Sequence, residues 1–147
     1  MLMEGLYMKT RISQLWKVPV FCLAAGFLSF YANVFLVSRF AVVQLPDGSL
    51  TANPTLTTLF SALFLILSLV LGNHLLRKMT PKERFLSALI QVVFLLVGLP
   101  SAMLSTYATE WSRLIDRIVF AMTDNIHLTA IISCFAPLLL VPSRKKK

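Results

Sequence analysis

The sequence predicts an all-α membrane protein of four transmembrane helices, with an amphipathic helix in the outer interface and a short outward loop or β-hairpin. Four long runs contain no Asp, Glu, Lys or Arg, and they cover Val18 to Val37, Leu56 to Leu76, Phe85 to Leu104 and Ile126 to Val141. At about 1.5 Å per residue, the first three give helices of about 30 Å, the thickness of a bilayer hydrocarbon core. The pattern divides the chain into a cytoplasmic segment 1–17, a transmembrane domain 18–141 and a basic tail 142–147.

Composition and charge support this class. Hydrophobic residues make up 57% of the 147 and charged residues 14%, whereas about a quarter of a soluble domain is charged. Eleven of the 14 Lys and Arg residues lie before the first run, between the second and third, or after the fourth. The positive-inside rule therefore places both termini and the middle connector in the cytoplasm. The start Met8-Lys9-Thr10-Arg11 is typical of an inner-membrane protein. The net charge of +8 sits beside the spans, so phospholipid headgroups, and not nucleic acid, are the expected partners.

The first connector, residues 38–53, has the sequence of a tight turn. Its Pro46-Asp47-Gly48 stretch suits successive turn positions, and residues on both sides favour strands, so a small β-hairpin or tight loop is predicted. Asn53 followed by Pro54 predicts an N-cap and first helical residue for the second span.

Two further prolines shape the predicted spans. Pro81 interrupts the short basic connector 77–84, which predicts an antiparallel helical hairpin of spans two and three. The fourth run has 16 residues and covers only about 24 Å. It either begins earlier, with Asp124 and Asn125 in the interface, or sits in a locally thinned bilayer. Pro137 is expected to kink it.

The third connector contains a helical pattern. Apolar residues recur with a 3.6-residue period at Trp111, Leu114, Ile115, Ile118, Val119 and Met122. This pattern predicts an amphipathic helix capped by Thr109. We expect it in the outer interface, with Trp111 and Tyr107 in the aromatic belt. There it either roofs the bundle or forms the lipid-facing wall of a site.

Small and polar residues mark the expected packing faces of the spans. They are Cys22, Ala25, Gly26, Ser29 and Asn33 in span one, Ser61, Ser68 and Gly72 in span two, and Ala88, Gln91, Gly98 and Ala102 in span three. Helices in lipid associate through close approach at small residues and through interhelical hydrogen bonds. Asn33 and Gln91 should therefore point inward, as structural glue or as the lining of a substrate groove. The two cysteines, Cys22 and Cys134, differ in depth, which predicts free buried thiols.

Catalytic and metal-binding patterns are sparse. Asp124 and His127 lie three residues apart and could share a metal or a proton, although Asp124 is equally an N-cap and no third ligand is near. The sequence has no Gly-rich phosphate loop and no nucleophile elbow. No predicted span has a charged residue at its centre, which argues against an ion pump. We therefore expect no metal, no cofactor and no catalytic residue.

Several short motifs resemble the N-terminal membrane domain of the lipid A phosphoethanolamine transferases. They are Phe27-Leu28-Ser29-Phe30-Tyr31, Asn33, Phe35, Val43-Gln44-Leu45-Pro46-Asp47-Gly48, Gly98, Thr106-Tyr107, Ile115-Asp116-Arg117 and Asn125. In that family the membrane domain holds a lipid donor beside a periplasmic domain with a threonine nucleophile and zinc. The sequence departs from the family in a longer Tyr107 to Asp116 spacing and in lacking the Ala-Glu pair after the asparagine. The resemblance implies a domain that docks lipid but does not catalyse transfer alone.

The sequence thus leaves three functions open. The first is lipid docking or anchoring, with a headgroup phosphate bound by Arg113 or Arg117 and with Tyr107, Trp111, Asn33 and Gln91 as further lipid-binding residues. The competing possibility at the arginines is that Glu110 and Asp116 already neutralise them through pairs three apart. The second function is a small interaction protein, an immunity or accessory subunit, that pairs with a larger membrane protein. The third is a small membrane enzyme or carrier.

Overall fold

The computed structural model describes residues 12–97 and 102–142, and for residues 102–108 it describes the backbone alone. The segment 1–17 is thus described from Ile12, and most of the basic tail lies outside the described residues. The elements are α1 (Lys17–Leu36), a π-helical segment (Val37–Ala41), β1 (Val42–Gln44), β2 (Leu50–Ala52), α2 (Pro54–Leu75), α3 (Pro81–Val97), α4 (Ala102–Thr123), α5 (Ile126–Cys134) and a 3-10 helix (Ala136–Leu140). Among the described helices, two are long and apolar enough to cross a membrane, namely Ile12–Ala41 and Pro54–Leu75.

The packed helices have two opposite ends, which are named here by their features. A β-carbon built on Gly72 would lie 2.9 Å from the Phe21 ring and 2.7 Å from Leu140, so α1, α2 and the 3-10 helix meet at this level. We call the end formed by the start of α1, the connector 76–80 and the end of the 3-10 helix the basic end. The opposite end, formed by the β-hairpin and the turn at 124–125, is the hairpin end.

The β-hairpin forms where the turn residues predicted it. Val42 pairs with Ala52, and Gln44 pairs with Leu50. Gly48 has a φ of 82°, a backbone conformation that glycine adopts without steric cost. Hydrogen bonds from the Ser49 hydroxyl and backbone N–H hold the pKa of Asp47 below its usual range.

Two helices begin at asparagine caps. Asn53 Oδ1 accepts hydrogen bonds from the backbone N–H of Thr55 (3.0 Å) and Leu56 (3.2 Å), and Pro54 follows as the first helical residue of α2, which confirms the prediction. At α5 the cap is Asn125, and Asp124 instead has a positive φ of 48° in the turn. The alternative that made Asp124 an N-cap was therefore wrong.

The predicted packing faces of spans one and two are buried. In α1 these are Cys22, Gly26, Ser29 and Asn33, with Ala25 partly buried, and in α2 they are Ser61, Ser68 and Gly72. In α3, Ala88 and Gln91 are also buried, while the side chains of Gly98 and Ala102 lie outside the described residues. Cys22 and Cys134 are both free, as predicted, but only Cys22 is buried, and Cys134 is partly exposed. The fourth run breaks at its proline, because α5 ends at Cys134 and a 3-10 helix that contains Pro137 follows.

The predicted third span differs from the structure. The run 85–104 is described only as far as Val97 in α3 and again from Ala102 in α4, so whether it forms one helix lies outside the described residues. The expected antiparallel hairpin of spans two and three is absent from the described contacts, because α3 packs on α1 and the 3-10 helix instead of on α2. Only its start meets α2, where the buried Arg84 donates from Nε to the Leu76 carbonyl at 2.7 Å.

The amphipathic helix is longer and more central than predicted. It begins at Ala102, so Thr109 lies inside α4 and is not its N-cap. Its apolar residues Trp111, Leu114 and Ile115 are buried, because α4 packs along α1 and also contacts α2 and α5. The prediction that this helix lies on the outer interface with Trp111 in an aromatic belt was therefore wrong.

Candidate functional site

A cleft opens at the hairpin end between α1, α4 and the β-hairpin. Its volume is about 610 Å³, and it is lined by Phe30, Asn33, Val34, Val37, Ser38, Val42, Ala52, Thr57, Glu110, Arg113 and Arg117. We call it the hairpin-end cleft. A neighbouring cavity of about 480 Å³ shares Ala52, Thr57 and Arg117 with it and continues past Phe120 to Asp124. Arg117 thus stands where the two cavities meet.

The local backbone shapes one wall of the cleft. The last turns of the first long helix are π-helical, over Val37–Ala41, and such widened turns are frequent at functional sites. The backbone N–H of Asn53 then donates to the Ala41 carbonyl at 2.7 Å, which ties the hairpin to the start of α2. Val37 and Ser38 on this segment and Val42 on the first strand all face the cleft.

Two hydrogen bonds fix the rotation and height of α4. Trp111 Nε1 donates to Ser68 Oγ at 2.9 Å, in a fully buried position, and Arg117 Nη1 donates to Ser61 Oγ at 3.0 Å. From Trp111 to Arg117 the chain advances six residues along α4, while their partners Ser68 and Ser61 step back seven residues along α2. The two helices therefore run antiparallel. With this register, the polar side of α4 faces the hairpin-end cleft.

The two arginines of the cleft have different surroundings. Arg113 Nη1 lies 2.8 Å from Glu110 Oε1, and the Glu110 side chain is only 9% exposed. This confirms the predicted pair of Glu110 and Arg113 and neutralises Arg113, whereas the expected pair with Asp116 does not form among the described residues. Arg117 has no carboxylate within 4 Å among the described residues, and its described partner is the Ser61 hydroxyl, which itself donates to the Thr57 carbonyl. Since a guanidinium has five N–H donors, Arg117 keeps capacity for an anion in the cleft.

Asn33 adds an unsatisfied acceptor to the same cleft. The residue is 5% exposed, and its Oδ1 atom is buried without a hydrogen-bond partner. A buried polar atom without a partner costs about 1–3 kcal/mol. Such an atom in the wall of a cleft that also holds a cation indicates a place where a ligand or water completes the hydrogen bonding.

The structure gathers half of the predicted site residues. Asn33, Arg113 and Arg117 line the hairpin-end cleft. Gln91 is buried, as predicted, but lies on α3, which begins at the basic end. Trp111 is a core residue that orients α4. The side chain of Tyr107 lies outside the described residues.

The sequence did not predict that Ser61 and Glu110 belong to the hairpin-end cleft. Ser61 was assigned to helix packing, yet its hydroxyl orients Arg117 across 56 residues of sequence. Glu110 was considered only as a neutralising partner, although its buried carboxylate lines the cleft. The polar residues on one side of α4 gave a signal for Glu110. A serine in a packing stripe gives no signal that its hydroxyl accepts a hydrogen bond from a distant arginine.

The possible metal or proton pair did not form a site. Asp124 and His127 are both exposed, and the Asn125 side chain caps α5 by accepting from the His127 backbone N–H at 3.1 Å. Within the described ranges, no three His, Cys, Asp or Glu side chains come together in an arrangement that could hold a metal ion.

Comparison with known proteins adds no relative. No protein-family model matches the chain, and neither the curated proteins nor the solved structures contain a significant match.

Proposed function

We propose that this protein is an integral membrane protein that docks a phospholipid by its phosphate group in the hairpin-end cleft. The observation that carries the proposal is Arg117, a half-buried cation with a serine hydroxyl as its described partner, at the junction of two cavities. Charge-assisted hydrogen bonds to phosphate are short and strong. The buried Asn33 Oδ1 would accept from a donor of the headgroup or from a bridging water.

The resemblance to the membrane domain of phosphoethanolamine transferases supports the same function, since that domain holds a lipid donor. We further propose that the protein lies in a bacterial inner membrane with its basic end in the cytoplasm. The described basic residues support this orientation, because Lys17, Arg77, Lys78 and Lys82 lie at the basic end, while Arg39, Arg113 and Arg117 lie toward the hairpin end. The cleft would then open in the outer leaflet.

The proposal is tested by measuring phospholipid retained by the purified protein with native mass spectrometry. Arg117→Gln is expected to lower retention about tenfold or more, because a hydrogen bond to a charged group contributes about 1.5–3 kcal/mol. Arg113→Gln is expected to have a smaller effect, since Glu110 already neutralises that side chain.

Arg39→Gln is the matched control. Arg39 is an exposed arginine on the π-helical segment at the same end of the molecule, and it does not line the cleft. Its replacement should leave retention unchanged. Retention that is normal in Arg117→Gln would overturn the proposal, and an equal loss in Arg39→Gln would show a diffuse charge effect in place of a site.

A further inference from the structure

The helix α3 has both of its ends at one level of the molecule. Its start is held by Arg84, which donates to the Leu76 carbonyl and, from Nη1, to Asn73 Oδ1 at 2.9 Å. Ten residues later, the ring of Phe94 stacks on Trp16 with a centroid distance of 5.8 Å.

Leu76 and Trp16 lie at similar heights in the bundle. Phe21 packs against Gly72; Trp16 is five residues before Phe21, and Leu76 is four residues after Gly72. Both therefore lie about 6–8 Å beyond this contact, toward the basic end. A helix that rose alongside α1 would carry Phe94 about 15 Å above Arg84. Instead α3 crosses the basic end, and Ser87 donates to the Leu15 carbonyl and accepts from the Val18 N–H on the way.

The two sides of α3 have opposite character. The side that faces the protein carries Arg84, Ser87, Ala88, Gln91 and Val92, all buried. The opposite side is at least two-fifths exposed and apolar, with Phe85, Leu86, Leu89, Val93, Leu96 and Val97. These residues recur at helical spacing and form one continuous apolar strip, which we call the α3 outer strip. Nothing in the described chain covers it.

Charge and an aromatic marker indicate what covers the strip. Arg77, Lys78 and Lys82 are exposed at the start of α3, and Lys82 stands in line with the strip, three residues before Phe85. Trp16, half exposed at the same level, is the residue type that favours the boundary between lipid and water. An apolar helix face with a cationic end at this level fits the surface of an anionic leaflet.

We infer that α3 is not a membrane span but an in-plane helix, whose outer strip is buried among the acyl chains just below the headgroups of anionic phospholipids. Arg77, Lys78 and Lys82 bind the phosphates of these lipids. Together they form a lipid-binding surface at the opposite end of the molecule from the hairpin-end cleft, and this surface does not depend on the function proposed for the cleft.

The depth of α3 in a bilayer tests this inference. Single cysteines at Leu86, Leu89, Val93 and Val97, in the full chain with Cys22→Ala and Cys134→Ala, are labelled with a fluorophore. Quenching by lipids that carry quenchers at different depths then gives the depth of each label in nanodiscs. The matched series on α2 uses the exposed positions Leu59, Leu63, Ile66 and Val70, which cover the same eleven-residue separation.

The α2 series should show depths that differ by about 16 Å from first to last, whereas the α3 series should stay within a few Å. A gradient of about 16 Å in α3 would show a span and overturn the inference. Labels on α3 that no lipid quencher reaches would show that protein or water covers the strip, and would overturn it equally.

The charge component is tested with quenchers attached to phosphatidylglycerol in phosphatidylcholine nanodiscs. In the wild-type protein, the α3 labels should be quenched more strongly than a random lipid mixture predicts, because the anionic lipid is enriched around them. The triple change Arg77→Gln, Lys78→Gln and Lys82→Gln should reduce this enrichment at least fivefold, since one juxtamembrane cation is worth about fivefold, the equivalent of about 1 kcal/mol. Arg39→Gln is the control at the other end. Unchanged enrichment in the triple variant would overturn the assignment of these three residues.

Discussion

The helices α3 and α4 are neighbours in sequence but have opposite positions in the molecule. From Phe85 to Val97, α3 has no charged residue, and such an apolar helix would be expected inside a protein. Its outer strip is nevertheless left uncovered by the described chain. By contrast, α4 carries Glu110, Arg113, Asp116 and Arg117, and it packs along α1 with Trp111 fully buried.

If the chain lies in a bilayer as proposed, the difference shows which force sorts its helices. Lipid chains are as apolar as leucine, so burying an apolar strip against protein gains little there. Polar groups are different, because in lipid they need partners. In α4, Arg117 donates to Ser61, Arg113 pairs with Glu110, and Trp111 donates to Ser68. One oxygen of Asp116 is buried without a hydrogen-bond partner. The helix with four charged residues along its middle therefore takes the inside position, while the α3 outer strip is left uncovered by the described chain.

The largest expected effect is the switch of a topology reporter at the end of α3. A reporter enzyme active only in the cytoplasm is inserted after Val97 or after Asp124 in the full chain, with insertions at Lys78 and Gly48 as calibrators. We expect activity at Lys78 and Val97 and silence at Gly48 and Asp124, because α3 stays at the basic end and α4 leads to the hairpin end. A silent reporter at Val97 would mean that α3 crosses the membrane and α4 does not.

The comparison also shows how far the sequence could lead. Local signals were sufficient for the hairpin turn, for the Asn53 cap and for the buried stripe of Ser61, Ser68 and Gly72. Charge-free runs were not sufficient for the third span, because they measure hydropathy and not which way a helix runs or which neighbours it packs on.

The candidate site was predictable only in part, for a related reason. Arg113 and Arg117 stood out as rare cations, and the three-residue spacing gave the Glu110 pair. Arg117 differs from Arg113 because it hydrogen-bonds to Ser61 and not to a carboxylate. Ser61 lies opposite Arg117 because of the antiparallel register of α4 and α2. A register between helices that are 40 or more residues apart in sequence is a tertiary property, so the sequence could not show which arginine stays available.

A second prediction compares a buried aromatic residue of α4 with an exposed one of α3. Trp111→Ala should lower the free energy of unfolding by about 3–5 kcal/mol, since it leaves a cavity in the core and removes the hydrogen bond to Ser68. Phe85→Ala, at a ring that is half exposed, should cost less than about 1 kcal/mol. Both are measured by unfolding in mixed detergent micelles with increasing SDS. Equal losses would show that α3 is packed as firmly as α4, against the contrast drawn above.

The smallest effects come from two buried amides, Asn33 beside α4 and Gln91 on α3. Asn33 Oδ1 and Gln91 Nε2 are both buried without a hydrogen-bond partner. Replacing such a group by an apolar one of similar shape is nearly neutral or stabilising, so Asn33→Leu and Gln91→Met should each change the free energy of unfolding by about 1 kcal/mol or less in delipidated protein.

Lipid retention separates the two amides, because only Asn33 lines the hairpin-end cleft. Asn33→Leu should lower the retained phospholipid about two- to tenfold, the range that one neutral hydrogen bond of about 0.5–1.5 kcal/mol gives, while Gln91→Met should leave it unchanged. A clear loss of stability in both variants would instead assign both amides to helix packing. Normal retention in Asn33→Leu would remove this residue from the site and leave Arg117 as the group on which phosphate docking depends.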